Sequence, residues 1–297
     1  MPETDRSATG PGSVVLVATP IGNLGDLSAR AIEVLAAADM VCCEDTRRTR
    51  ALLSAAGILG GGRLVSFHEH NEASRVPDVL RRVANGETVA VVSDAGTPGI
   101  SDPGERLVAA AVAAGLAVSV VPGPSAVVAA LVVSGLPTDR FCVEGFLPRG
   151  GAGRRARLVA LQSEERTTVL FEAPGRLATT LAELHQACGD RPVAVARELT
   201  KLHEEVWRGG LEAAATTFAE REVRGEIAVV LGGAPPAGPV PDAVVEAAVG
   251  ARLAAGAGPR QAADEVALEL GVPRRRAYQS ALHQRDERDK ARRPSGP

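Results

Sequence analysis

Aromatic side chains are scarce in this chain, with five Phe, one Trp and one Tyr among 297 residues. The core must therefore be packed from Ala, Val and Leu, and an extended aromatic platform for stacking nucleic-acid bases is not expected. Cysteine is also sparse. Cys42, Cys43, Cys142 and Cys188 show no CxxC spacing, and the adjacent Cys42 and Cys43 sit in an apolar run that reads as buried free thiols, so no metal site is expected. The most apolar stretch, Leu107–Val121, is too short to span a bilayer and is followed at once by Pro122. Residues 1–13 contain Glu3 and Asp5 and no apolar segment, which is unlike a secretory leader. The expectation is a soluble cytoplasmic protein, with 45% hydrophobic and 23% charged residues arguing against wholesale disorder.

Several chemistries are excluded by missing motifs. There is no GxxxxGK[ST], no GxGxxG, no GxSxG and no HExxH, which removes the P-loop, the usual dinucleotide crevice, the nucleophile elbow and the zincin helix. The formal charge of −3 argues against a chain coated uniformly by nucleic acid.

What is present is an alternation of short apolar runs with amphipathic segments. Runs at Val14–Ala18, Met40–Cys43, Leu64–Ser66, Thr88–Ser93 and Ala117–Val121 read as strands, each followed by a helical pattern, which predicts a mostly parallel sheet covered on both faces. Gly135-Leu136-Pro137 breaks the rhythm. Alternation then resumes, with segments near 203–208 and 226–231 suiting antiparallel members of a mixed sheet. Gly232–Pro241 is a Gly/Pro-rich, uncharged linker, and the rest reads as helices. The expected organisation is a disordered 1–13, an α/β domain over 14–136, a second over 137–232, a linker over 233–241 and a helical tail over 242–297. The tail helices Pro259–Leu270 and Pro273–Gln284, separated by a Gly-containing turn, suit either a helix-turn-helix or a small helical cap.

Three loops follow predicted strands and are rich in Gly, Pro and small hydroxyl residues: Thr19–Gly25, Ser93–Ser101 and Val121–Ser125. Loops at the carboxyl ends of strands in an open α/β sheet form its ligand crevice. With no Lys among them, they suit a zwitterionic or cationic small molecule better than a triphosphate.

The runs VATPIGNLGDLSARAIEVL, CEDTRRTRALL, SFHEHNE, VVSDAGTPGISDPG, VPGPSAVVAAL, LPTDRFCVEGFLPR and ARELTKLHEE closely resemble the ribosomal RNA small subunit methyltransferase I family. That family lies within the tetrapyrrole-methylase-like (class III) S-adenosylmethionine-dependent superfamily. The resemblance runs from about Val14 to Leu231. It implies two α/β domains with S-adenosylmethionine in the cleft between them and a small C-terminal helical domain. It also implies methyl transfer to the ribose 2′-hydroxyl of a decoding-centre cytidine in 16S rRNA, within the 30S subunit, and a homodimer. Carried onto this chain, Pro20 borders the cleft, and Asp94, Ala95, Gly96, Pro98, Ile100 and Ser101 form the main cofactor loop. Pro122, Gly123, Ser125 and Ala126 line the nucleoside side, and Phe146 and Leu147 close from the second domain.

Candidate proton acceptors are polar groups just past first-domain strands: Asp45, His68, His70 and Glu72. Either imidazole could serve as a base or as a structural hydrogen-bonding group. Arg197–Lys201 suits a segment that clamps phosphate or orders the cleft, or a structural ion pair. Arg149, Arg154, Arg155 and Arg157 form a cluster without an acid, and Gly271–Pro297 holds eight Lys or Arg against three Asp or Glu, including Arg274, Arg275 and Arg276. These two patches predict phosphate contacts on an RNA that the net charge conceals. Rival readings are a tetrapyrrole or other small-molecule methyltransferase of the same superfamily, and a ligand-sensing nucleic-acid-binding regulator.

Overall fold

The computed structural model describes residues 12–59, 61–236, 238 and 240–292. The expected disorder of 1–13 falls almost wholly outside the described residues, although Ser13 already belongs to the first strand. Two units make up the chain, one ending at Ala234 and one beginning at Pro235. The first unit contains both sheets.

The first sheet is built by β1 (Ser13–Val17), α1 (Ala29–Ala37), β2 (Met40–Cys43), α2 (Thr46–Ala55), β3 (Leu64–Ser66), α3 (Glu72–Ala84), β4 (Thr88–Val92), α4 (Glu105–Ala113) and β5 (Ala117–Val121). All its strands are parallel, in the order β3-β2-β4-β1-β5. Continuous apolar runs such as MVCC in β2 are buried throughout, as a strand covered on both faces requires. One face packs on α1 and α2 through Leu35 and Leu53, and the other on α3 and α4 through Val79, Val83 and Leu107. Helix starts follow ordinary capping: the Ser28 hydroxyl accepts the Ala31 N–H at 3.1 Å, and Asp45 accepts that of Arg47 at 2.8 Å.

The next helix, α5 (Ala126–Ser134), is apolar almost all round, and Gly135 ends it in a left-handed conformation. Although it precedes the Gly135–Pro137 break, α5 packs on the second sheet: Val127, Ala130 and Leu131 meet Val169, Ala194, Ala228 and Val230. That sheet is built by β6 (Phe141–Phe146), α6 (Gly151–Gln162), β7 (Thr167–Glu172), α7 (Leu177–Cys188), β8 (Pro192–Arg197), β9 (Glu205–Gly210), α8 (Leu211–Ala219) and β10 (Ile227–Leu231). Its order is β6-β7-β10-β8-β9, with β6 and β7 parallel and the other neighbours antiparallel, so the sheet is mixed as expected. The face away from α5 packs on Leu177, Leu181 and Leu184 of α7 and on Phe218 of α8. Leucines at i, i+4 and i+7 supply the bulk that aromatics provide elsewhere, each contributing about 1.5–3 kcal/mol when fully buried.

The second unit consists of α9 (Asp242–Ala254), α10 (Pro259–Leu270) and α11 (Arg274–Arg292). Val245, Val249, Val266, Ala277 and Ala281 give it a core of its own. Gly271, at φ 63°, turns the chain between α10 and α11. Helix α11 runs on to Arg292, past Gln284, where the sequence pattern ends it. No helix among the described residues is long and apolar enough to cross a membrane.

Candidate functional site

The three Gly/Pro-rich loops follow β1, β4 and β5, and these strands are immediate neighbours in the sheet order. Their carboxyl ends therefore present all three loops side by side. The loops are also laced together. Thr19 and Gly96 exchange backbone hydrogen bonds at 2.8 and 3.0 Å, and the Thr97 hydroxyl donates to the Pro124 carbonyl at 3.2 Å. Ser93 folds its own loop by donating to Ala95 O at 3.1 Å.

A cavity of about 370 Å³ opens between these loops and the second sheet. From the first side it takes Ile21, Ala95–Thr97, Ile100–Asp102 and Ser125–Val127. From the second it takes Phe146, the end of β7 (Phe171–Pro174), Ala196, Leu199 and Gly225–Ala228. Asp102, Glu172 and Glu226 are its only charged lining groups; no Lys or Arg faces it among the described residues. Glu172 is buried and satisfied by Ala173 N–H at 2.8 Å, Thr180 Oγ1 at 2.5 Å and Arg176 Nε at 3.2 Å. Glu226 pairs with Lys201 at 3.0 Å. Asp102 has no cation partner among the described residues; burial, and then the nearby Glu44 carboxylate, push its carboxyl up to about 6.

A second cavity of about 360 Å³ lies against the first loop and α2. It shares Ile21, Ala95 and Glu226 with the first cavity, so the two adjoin. Between them runs the segment 198–201, in which Glu198 (φ 52°) and Thr200 (φ 65°) both adopt the left-handed conformation. Such residues cost about 1–3 kcal/mol each and persist only where their surroundings hold them. Here Glu198 Oε1 accepts from Glu226 N–H at 2.9 Å and from Lys201 Nζ at 2.8 Å, and Glu204 accepts Thr200 N–H at 2.6 Å. Gly22 rests directly on this segment: a Cβ there would lie 3.0 Å from Leu199 O and 2.9 Å from Thr200 Oγ1.

Residues 13–215 match the family of tetrapyrrole (corrin/porphyrin) methylases. Ribosomal RNA small subunit methyltransferase I of Mycobacterium tuberculosis (strain CDC 1551 / Oshkosh) is 50% identical over 93% of this chain and 96% of its own length. The protein of the same name from Synechocystis sp. (strain ATCC 27184 / PCC 6803 / Kazusa) is 44% identical over 91% and 98%. The chain belongs to the ribosomal RNA small subunit methyltransferase I family. Among solved structures, the cobalt precorrin-4 methyltransferase CbiF covers 74% of this chain and 94% of its own, with a TM-score of 0.55 at 19% identity. Uroporphyrin-III C-methyltransferase from Thermus thermophilus, complexed with S-adenosylhomocysteine, gives 0.52 at 22%, covering 74% and 97%. These two share the fold. As members of this family, the chain and its relatives are S-adenosylmethionine-dependent methyltransferases.

The family-derived residues divide between the two cavities. Ala95, Gly96, Ile100, Ser101, Ser125, Ala126 and Phe146 line the first, and Pro20, Asp94 and Ala95 line the second. Asp94 is turned toward α2, accepting Asp45 N–H at 3.0 Å and pairing with Arg48 at 3.3 Å. Pro98, Pro122, Gly123 and Leu147 line neither. Gly123 is instead a packing position, where a Cβ would lie 3.0 Å from that of Ala18. Leu147 is buried among Leu161, Leu170 and Leu177, so its side chain does not close the cleft. Asp102 and Glu172 were not singled out from sequence; Asp102 stands within the SDPG run, directly after the residues that were, and Leu199 lies in the Arg197–Lys201 segment that was.

None of the four candidate proton acceptors lines either cavity. Asp45 caps α2, and its hydrogen bonds with Arg47 hold its carboxyl below the usual carboxylate range. Glu72 is buried and accepts the N–H groups of Gly104 and Leu107 at 3.2 Å each, which makes it the cap of α4. His68 contacts Asn71 Nδ2 through Nε2 at 3.2 Å, leaving its buried Nδ1 without a partner, and His70 is exposed.

The basic patches also divide. Arg154 is buried, bonded to Glu183 at 2.6 Å, Thr180 at 2.8 Å and Pro148 O at 3.0 Å, so it anchors α6 and is not available to RNA. Arg157 is held by Glu144, Arg274 by Asp264, and Arg276 by Asp242 and Val240 O. Arg149, Arg155 and Arg275 are exposed without a partner among the described residues.

Proposed function

We propose that this chain transfers the methyl group of S-adenosylmethionine to the ribose 2′-hydroxyl of a decoding-centre cytidine in 16S rRNA, within the 30S subunit in the cytoplasm. The observation that carries this reading is 50% identity, over nearly the whole chain, to a relative named for methylating small-subunit ribosomal RNA.

The chemistry of the first cavity fits the cofactor. An apolar chamber whose only charges are carboxylates suits a sulfonium cation and would repel phosphates. Ala95, Gly96 and Ile100 would hold it from the β4 loop, Ser125 and Ala126 from the β5 loop, and Phe146 from the second sheet. Asp102 supplies the uncompensated negative charge. The cofactor brings an already activated methyl group, so the protein has to align the attacking hydroxyl and exclude water. Within the two predicted basic patches, exposed Arg149, Arg155 and Arg275 are free to meet RNA phosphates. Apolar side chains left exposed on α4, β5, α5 and β6 (Val112, Val120, Val128, Val132, Phe141 and Val143) support a homodimer, since a second copy would cover such surface.

The test is incubation with labelled S-adenosylmethionine and, separately, 30S subunits, free 16S rRNA, tetrapyrroles and duplex DNA. Mass spectrometry of digested RNA should show 2′-O-methylcytidine. Label on a base or a porphyrinoid, or on nothing, overturns the reading.

A further inference from the structure

We infer that the second cavity is the receiving pocket for one nucleotide of the RNA, swung out of its stack, and that Arg48 of α2 holds its phosphate. This rests on the methyl-transfer reading above and adds the place and chemistry of acceptor binding.

Three observations carry it. The first is adjacency. A methyl acceptor must come within about 3–3.5 Å of the donor group, so it has to occupy space that borders the donor cavity. The second cavity does so through Ile21, Ala95 and Glu226.

The second observation is the contrast in charge. The first cavity has acids alone, whereas the second adds Arg48 and Lys201. Arg48 is parked on Asp94 at 3.3 Å, with two-thirds of its side chain in solvent. Exposed pairs of this kind are weak, so an arriving phosphate can draw the guanidinium away.

The third is the shape and nature of the walls. About 360 Å³ falls within the range of small-ligand sites. Pro20, Leu24, Ala51 and Leu52 form an aliphatic surface for the faces of a base, and Leu24 is 58% exposed. The Thr19 and Ser93 segments bring polar groups beside it. A pocket of this size beside a buried donor takes a nucleotide only after extrusion, the solution used by enzymes that act on single nucleotides. It also removes any need for the aromatic platform the sequence lacks.

Filling the chamber tests the inference. Ala51 is exposed on α2, so Ala51→Trp adds bulk without disturbing the core. The expected result is a wild-type melting temperature, S-adenosylmethionine affinity by calorimetry within about twofold of wild type, and at least about 100-fold less 2′-O-methylcytidine on 30S subunits. Arg48→Ala should raise the KM for RNA several-fold and flatten its salt dependence, with cofactor affinity unchanged. Undiminished methylation by Ala51→Trp overturns the inference, and so does an equal loss of cofactor binding, which would make the chamber part of the donor site. Should Ala51→Trp fold poorly, Ala55→Trp on the same exposed face makes the same test. Failure of the wild-type protein to methylate RNA at all would overturn the underlying reading as well, and so is distinguishable from failure of the variants alone.

Discussion

Thr97 donates its hydroxyl to the carbonyl of Pro124 at 3.2 Å, joining the β4 loop to the β5 loop. Both loops contribute walls to the first cavity, so this one bond sets their spacing.

Replacing Thr97 by Val keeps the side-chain shape and removes the donor. Stability should fall by about 1 kcal/mol, the net worth of one hydrogen bond, and cofactor affinity should fall several-fold as the loops part. Thermal denaturation and calorimetry would measure both. Unchanged affinity would show that the loops keep their spacing without the bond.

Glu72 offers a contrasting case. Glu72→Ala leaves the buried N–H groups of Gly104 and Leu107 without an acceptor, for a loss of about 1–3 kcal/mol in denaturant unfolding. Turnover per folded molecule should be preserved, because this carboxylate lines neither cavity. A variant of normal stability and no turnover would restore Glu72 to the chemistry.

Arginines of the 149–157 cluster should separate by their partners. Arg154→Ala strands Glu183 and Thr180 and should lower the melting temperature by several degrees. The double replacement of Arg149 and Arg155 by Ala should leave melting unchanged while reducing the slope of log affinity for RNA against log salt by about 1–2. Equal effects of the two variants on melting would contradict the division.

Asp102 should show opposite effects on stability and binding. Its carboxyl is raised from 3.8 to about 6, so the folded chain holds the proton more tightly than the unfolded chain. Stability therefore falls as pH rises from about 4 through about 6, and above that range the ionised group weakens the fold. Asp102→Asn should raise the melting temperature at pH 8, with the gain vanishing near pH 4. It should also weaken S-adenosylmethionine binding about tenfold while sparing S-adenosylhomocysteine, which lacks the sulfonium charge, and wild-type preference for the cation should decline below about pH 6. A variant that melts lower and binds both ligands normally would remove Asp102 from the site.

The half of the cavity contributed by the first sheet was legible because its loops announce themselves: Gly, Pro and hydroxyl residues directly after apolar runs, on strands that turn out to be neighbours. The other half carried no such mark. Phe171–Pro174, Ala196 and Gly225–Ala228 meet only because β10 inserts antiparallel between β7 and β8, and chain order does not encode that insertion. Charge counting failed at Arg154 for a related reason. Its partner Glu183 stands 29 residues away on α7, so the cluster looked uncompensated when read along the chain. The extension of α11 was missed because its outer turns are polar on every side, leaving no apolar periodicity to read.

Helix α5 also constrains how the chain is made. It leaves the ribosome together with the first sheet, yet the strands it covers come later, the last of them being β10 at Ile227–Leu231. At ~5–20 residues per second, the roughly ninety residues between α5 and β10 take on the order of 5–20 s to synthesise. Throughout that interval an almost wholly apolar helix lacks its native cover. Chaperone capture of nascent chains should therefore peak with α5 exposed and end once β10 has emerged, and a chain halted between the two should aggregate where the finished protein does not.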